Sequence, residues 1–377
     1  MKKVIVFSGK CDSFLNFRKR LLQGFVANAD HVTASAPDHE ASEVEQLKTL
    51  GIDYQAIALE RTGMNPFADL AYFLKLKKFL KTEQPDLVFS YNIKPVIYGS
   101  LAARFAGVKT IHALIPGVGY LFAPNPSFIK KILQQMVFPL YRFALKRVEV
   151  LFFQNPDDLQ TFRECHLIGP NTTAVRVNGS GVDLNEFECS APPVDPIRFL
   201  FIGRLIRDKG LIEYAAAAKA LKAKYGERVE FGILGALDSN PAAITQAQLD
   251  EWVSEGYIKY HGVTKDVRPY LREMSVFVLP SFYMEGVPRT ILESLSMGRP
   301  IVTCNTRGCK ETVNEGENGY LIPPRDSEAL TVALESFLKD PSLVETMGKA
   351  SRAMAEELYD VEKVTEQMLK AMHLKAN

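Results

Sequence analysis

Short apolar runs and amphipathic stretches alternate along the first half of the chain, a pattern of buried strands and half-buried helices. Lys3–Phe7 is apolar and stops at Ser8-Gly9, and Phe14–Val26 follows with helical spacing. His31–Ala36 and Tyr54–Leu59 read as strands flanking a helix at Glu40–Leu50, which Gly51 closes. Phe67–Lys81 is predicted as a helix, Asp86–Ser90 as a strand, Val96–Ala106 as a helix ended by Gly107, and Val108–Ile115 as a strand. Strand-helix alternation with short punctuation predicts an α/β fold built on a parallel, doubly wound sheet.

A second series starts at Ile197–Ile202 and repeats the alternation, with strands at Val229–Leu234, Ile258–His261, Val276–Leu279 and Ile301–Cys304. Helices are expected at Leu211–Tyr225, near Ala243–Gly256 and Val267–Met274, and at Pro288–Met297. At 377 residues the chain has room for two such domains. We expect an N-terminal domain over 1–185 and a C-terminal one over 186–354, hinged at the proline-bearing stretch Asp183–Pro196. One long terminal helix, about Ser342–Leu374, has no strand after it and should pack back across the halves, with 355–377 on the first domain. In open α/β sheets ligands bind beyond the carboxyl ends of the strands, so a cleft between two such domains is the expected site.

Composition narrows the class. Apolar residues make up 47% and charged residues 24%, as in soluble globular proteins. The net charge of +1 is unevenly spread, since residues 1–185 hold 22 Lys+Arg against 16 Asp+Glu. No acidic residue occurs between Asp86 and Glu149, which suggests a surface for an anionic partner rather than a nucleic-acid-binding protein. The five cysteines form no CxxC pair and suit reduced thiols. The N-terminal apolar run is too short for a signal peptide, and no stretch reaches the ~20 apolar residues of a membrane span. A cytoplasmic protein is expected.

Two segments carry candidate chemistry. Phe201-Ile-Gly-Arg-Leu-Ile-Arg-Asp-Lys-Gly210 leaves a buried strand and enters a helix. Gly203 permits a tight exit, Arg204 offers a fork for phosphate oxygens, and Lys209 a point charge near a helix start that itself attracts anions. A solvated basic loop explains this segment equally well. The second segment, Pro280 to Gly298, places Glu285 before a helix whose first residue should be Pro288, and Glu293 on that helix. At ~1.5 Å per helical residue the carboxylates should stand roughly 10 Å apart, which suits two ends of an elongated ligand better than one metal. A helix glutamate is ordinarily a surface residue, but Glu293 sits among Ile291, Leu292 and Leu295.

The Gly203-Arg204, Lys209-Gly210 and Glu285-x7-Glu293 arrangement resembles the donor site of retaining GT-B glycosyltransferases of the family 4 type. Asn16-Phe17-Arg18, Lys94-Pro95 with Tyr98-Gly99, Phe153 to Asp158 and Asn178 to Asp183 are similar to the branch that elongates undecaprenyl-diphosphate-linked oligosaccharides. The resemblance covers most of the chain and implies transfer of a sugar, an N-acetylhexosamine by preference, from a UDP-sugar with retention at the anomeric carbon. It assigns Arg204 and Lys209 to the leaving diphosphate, Glu285 to sugar hydroxyls and Glu293 to the ribose. The backbone of Gly286, Val287, Pro288, Arg289 and Thr290 would cradle phosphates, and the Gly235 and Val263–Asp266 loops would frame the base. Gly9 and Lys10 would face the donor from the other domain, and Asn16, Arg18, Lys94 and Gly117 would meet sugar or acceptor. UDP and GDP both remain open. No cofactor is implied, and with no Asp-x-Asp triplet no metal is expected.

Relatives often place a histidine just after the strand matching Val108–Ile115, whereas His112 lies inside it. A hydrogen-bonded structural histidine is at least as good a reading as a sugar contact. Ser127–Arg147 is apolar and basic, with Lys130, Lys131, Arg142, Lys146 and Arg147. It reads as a core helix broken near Pro139 or as a segment lying on anionic lipid, where each basic residue adds about 1 kcal/mol. A lipid-linked acceptor favours the second, hence a peripheral place on the inner face of the cell membrane. Among rivals, a nicotinamide dehydrogenase fails because Gly117-x-Gly119 and Gly179-x-Gly181 lack the third glycine. A GT-B sugar-nucleotide epimerase would not need the acid-free surface. A non-catalytic sugar-nucleotide-binding partner would be free to lose the four charged residues.

Overall fold

The computed structural model describes residues 2–60, 65–122, 128–238 and 242–374; Ser127 of the basic segment lies outside them. The chain divides into two compact units, Met1–Ser180 with Glu362–Asn377, and Gly181–Val361.

The first unit holds seven parallel strands, β1 (Lys3–Phe7), β2 (His31–Ala36), β3 (Ile52–Ala56), β4 (Leu87–Tyr91), β5 (Thr110–Ile115), β6 (Val150–Phe153) and β7 (Thr173–Arg176). Their order is β3-β2-β1-β4-β5-β6-β7, so the connection reverses direction between β1 and β4. All five residues of β4 are buried, as expected where helices cover both faces of a parallel sheet. β6 and β7 extend the sheet beyond the strands expected from the pattern. The first predicted helix is two, Asp12–Phe17 and Lys19–Asn28, because Arg18 leaves helical geometry at φ −132°. Asn65 accepts from the amides of Phe67 and Ala68 and, with Pro66 behind it, starts the helix Pro66–Glu83.

The second unit holds six parallel strands, β8 (Ile197–Ile202), β9 (Val229–Leu234), β10 (Lys259–Tyr260), β11 (Val276–Leu279), β12 (Ile301–Cys304) and β13 (Gly319–Ile322). The order β10-β9-β8-β11-β12-β13 again reverses beside the first strand, here between β8 and β11. Both units are thus Rossmann-like and doubly wound. The crevice beyond β8 and β11 is where such a sheet accepts a ligand.

Two expectations are corrected. The stretch Asp183–Pro196 is built into the second unit: Phe187 lies in its core, Ser275 Oγ donates to the Pro193 carbonyl, and buried Arg299 donates to the Ser190 carbonyl at 2.6 Å. The long terminal helix is interrupted. Ser342–Met354 and a π-turn at Ala355–Tyr359 belong to the second unit, and the chain then leaves helical geometry at Asp360, with ψ 121°. Backbone bonds from Val182 N to the Tyr359 carbonyl and from Val361 N to the Val182 carbonyl hold this break. The last helix, Val361–Ala371, buries Val364, Met368 and Leu369 in the core of the first unit.

Candidate active site

The loops that leave β8 and β11 meet at the point where strand order reverses. Phe282 N donates to the Asp208 carbonyl at 2.9 Å, tying them together. Gly210 has φ +79°, and a Cβ there would lie 2.1 Å from the Pro280 carbonyl oxygen, so only glycine lets the loops touch. This approach carries Lys209 to Glu285: Nζ lies 2.6 and 2.7 Å from the two carboxylate oxygens. Ser281 Oγ donates to the same carboxylate at 3.0 Å, and Lys209 is 8% exposed.

Arg204 joins the group through Tyr283. The Tyr283 ring lies under both cations, 5.4 Å from the Arg204 guanidinium carbon and 5.8 Å from Lys209 Nζ. Its π face favours holding two like charges near one another. The outer side of Arg204 meets Asp238 at 3.1 Å. Behind it, Gly203 and Gly235 are in backbone contact, since a Cβ on Gly235 would fall 1.8 Å from the Gly203 carbonyl oxygen. Gly235 N in turn donates to the Gly262 carbonyl, and Val263 just beyond it is exposed.

The helix after β11 runs Arg289–Ser296, and Pro288 caps it with ψ 124° rather than opening its first turn. Glu285 therefore lies in the preceding loop, and the helical rise does not set its distance from Glu293. The start of this helix carries amides with no intrahelical acceptor and the positive end of the helix dipole, which together attract an anion. Gly308, φ +77°, backs the loop; its Cβ would stand 2.0 Å from the Gly286 carbonyl oxygen. Glu293 is buried one turn into the helix, where Arg289 Nε donates to it at 2.7 Å. Burial raises the Glu293 pKa above its ordinary value, and the Arg289 charge opposes the shift without cancelling it.

In the first unit, the exits of β1 and β4 meet in the same way. Asn92, at φ +72°, accepts from Gly9 N and Ser8 Oγ at 3.2 Å. Lys10 is exposed beside Asp12, and Asn16 is exposed on the helix that follows. Arg18 is buried with its guanidinium over the Tyr91 ring. Lys94 is not a free cation for an acceptor, because Asp69 holds it at 2.7 Å and the Glu60 carbonyl accepts from it. Gly117 lies in the loop after β5, as expected.

His112 departs from both readings given to it. It pairs with Phe89 and Val150 in mid-sheet, far along β5 from the strand's carboxyl end, and is 1% exposed. Among the described residues, neither ring nitrogen has a hydrogen-bond partner. Burial first, then His373, lowers its pKa to about 4. In the basic segment Lys130 is buried, whereas Lys131, Arg142, Lys146 and Arg147 are exposed.

Ser281, Tyr283, Asp238 and Gly308 were not expected as parts of the site. Ser281 and Tyr283 stand inside the quoted second segment, but residue type alone does not show that their side chains turn toward Glu285 and Arg204.

Comparison with known proteins agrees with this geometry. The family model described as glycosyl transferases group 1 matches residues 196–340, the unit holding Arg204, Lys209, Glu285 and Glu293. The glycosyl transferase 4-like model matches residues 7–155. The chain belongs to the GT4-like, group 1 glycosyltransferases. Similar curated glycosyltransferases include the N,N'-diacetylbacillosaminyl-diphospho-undecaprenol alpha-1,3-N-acetylgalactosaminyltransferase of Campylobacter jejuni, 26% identical over 95% of each chain. Another is the UDP-Gal:alpha-D-GlcNAc-diphosphoundecaprenol alpha-1,3-galactosyltransferase of Escherichia coli, 26% identical over 73% of this chain and 72% of that one. Among solved structures, Anabaena HepE in complex with UDP and glucose superposes with a TM-score of 0.78 at 17% identity, over 99% of each chain. That likeness is one of fold, and the fold is GT-B.

Proposed function

We propose that this glycosyltransferase moves a sugar, an N-acetylhexosamine by preference, from a UDP-sugar onto an undecaprenyl-diphosphate-linked saccharide, with retention at the anomeric carbon and without a metal. The observation that carries the reading is the cluster at the β8/β11 reversal, where two cations share the Tyr283 ring beside a helix start.

Arg204 and Lys209 meet the diphosphate, and their charge counts most as the sugar–phosphate bond breaks and the leaving group becomes more negative. The amides at the start of Arg289–Ser296 take the remaining phosphate oxygens. Glu285, held by Lys209 and Ser281, accepts from sugar hydroxyls, and Glu293 accepts from the ribose. The acceptor hydroxyl attacks on the face the diphosphate leaves, its proton passing to a phosphate oxygen. The undecaprenyl-linked acceptors in the names of the Campylobacter and Escherichia relatives support the acceptor class and, with it, work at the inner face of the cell membrane.

The test is transfer by the purified protein, with EDTA present, from a panel of UDP- and GDP-sugars onto undecaprenyl-diphosphate-linked N-acetylhexosamine. Nuclear magnetic resonance of the product reads the anomeric configuration. An α-linked product from a UDP-α-sugar is expected. A β-linked product, or transfer only with GDP-sugars or added metal, overturns the corresponding part. Interconversion of the sugar nucleotide without any acceptor would instead make the protein an epimerase.

A further inference from the structure

Exposed apolar side chains on the first unit line up rather than scatter. On the helix Phe128–Leu145, the exposed Phe128, Ile132, Met136, Pro139 and Phe143 recur every three or four residues and so share one face. Phe128 is 78% exposed. On the helix Pro66–Glu83, Phe67, Leu70 and Leu74 form a second exposed stripe, with Phe67 84% exposed. Phe105, at the end of the helix Ser100–Ala106, bridges the two: its ring is 5.9 Å from Phe73 and 6.2 Å from Phe143. Isolated exposed apolar residues need no explanation, but a ridge running across three helices does.

Cations border the ridge. The Arg104 guanidinium carbon lies 4.6 Å from the Phe143 ring centre and Lys77 Nζ 5.7 Å from that of Phe105. Exposed Lys78 and Lys81 follow Leu74 on its helix, and Lys131 and Lys146 flank the other stripe. Acidic groups are withdrawn from it. Between Asp86 and Glu149 the sequence has none, and Asp69 is buried against Lys94 and Tyr98.

An apolar ridge within a cationic border matches the boundary between acyl chains and anionic headgroups. A second copy of this chain would bring one cationic border against another, which disfavours self-association through this face. We propose that the face formed by Pro66–Glu83, Ser100–Ala106 and Phe128–Leu145 docks on an anionic lipid bilayer, with Phe67, Leu70, Met136 and Phe143 entering the interface. The proposal deepens the reading of a lipid-linked acceptor by naming the surface that meets the membrane. It stands on this surface alone and needs no acceptor to be tested.

The experiment is flotation of the full chain with vesicles of phosphatidylcholine, and of phosphatidylcholine with phosphatidylglycerol, at low and high salt. Binding to the anionic vesicles that falls several-fold with salt is expected. Leu70→Ser with Leu74→Ser, and separately Ile132→Ser with Met136→Ser, should each weaken it about tenfold. Lys131→Glu with Lys146→Glu should abolish the preference for anionic vesicles. All three should keep the parent melting temperature and UDP-induced stabilisation. No binding at low salt, or binding untouched by the Leu70/Leu74 pair, would overturn the proposal. So would a dimer that the same substitutions dissolve. The vesicles carry no undecaprenyl lipid, so a failed transfer assay leaves this result standing, and failed flotation leaves the donor reading standing.

Discussion

Lys209 and Glu285 come from different strand exits, 76 residues apart, and form a two-pronged ion pair of 2.6 and 2.7 Å with little access to water. Neither charge is replaceable alone. Lys209→Met leaves a carboxylate without its counter-ion, which should cost about 3 kcal/mol, the low end for buried pairs because Glu285 keeps Ser281 and some solvent. Glu285→Gln keeps its shape and costs less. Both should lower transfer by at least ~100-fold. A double-mutant cycle on urea unfolding should show coupling of about 1–3 kcal/mol. Additive stabilities, or near-normal turnover in either variant, would count against the assignment.

Tyr283 brings Arg204 and Lys209 together over one ring, which makes it a positioning residue. Tyr283→Leu removes the ring and should raise the donor KM and lower kcat together, by roughly tenfold in kcat/KM. Tyr283→Phe keeps the π face and should recover most of the donor affinity. If Phe and Leu behave alike, the ring does not order the cations.

Gly308 gives a test of the loop that holds Glu285. Alanine there must adopt φ +77° and push the Gly286 carbonyl away from a 2.0 Å clash. Because the clash is with backbone, the loop must move, at a cost of about 1–3 kcal/mol. The expected result is a folded protein whose stabilisation by UDP-sugar falls sharply. A variant with parent donor affinity would show that the loop tolerates the shift.

Much of this was legible in the sequence because it rests on local pattern. The strand exits at Gly203 and Pro280 follow from apolar runs ended by turn residues, and the order of strands and helices follows from periodicity. β7 escaped because Thr173–Arg176 is half exposed and lacks the apolar run of a buried strand. The break at Asp360 escaped because Val182, far away in sequence, supplies the backbone partner that holds it. Lys94 shows the same limit. The resemblance puts Lys94 at sugar or acceptor, and that a buried Asp69 from another helix holds it is not visible in the sequence. Chemistry set by residue type was readable, and chemistry set by long-range partners was not.

His112 should make the first unit acid-sensitive. Its pKa is lowered to about 4 in the folded chain, while in the unfolded chain it titrates near 6.5. The unfolded state then binds an extra proton between those values. The associated stability is present above pH 6.5 and is lost as pH falls toward 4, by about 3 kcal/mol. His112→Leu removes this dependence, so the melting-temperature gap between pH 7 and pH 4.5 should narrow relative to the parent. An unchanged gap would place the acid sensitivity elsewhere.

Glu293 has the opposite linkage. Its folded pKa is raised, so the folded state holds the proton more tightly than the unfolded one. The stability this brings is complete below the ordinary glutamate range and disappears as pH rises through the folded value, leaving a buried carboxylate whose desolvation Arg289 only partly offsets. Glu293→Gln removes that cost, so the variant should be more stable than the parent at pH 8. The two should converge as pH falls into the ordinary glutamate range, because the folded parent carboxyl has taken up its proton by then. Keeping a carboxyl buried here makes sense if it accepts from the ribose. Glu293→Ala should then raise the donor KM by about tenfold while kcat changes less. A stability gain at pH 8 with no change in donor KM would leave the burial argument intact and remove the ribose from the assignment.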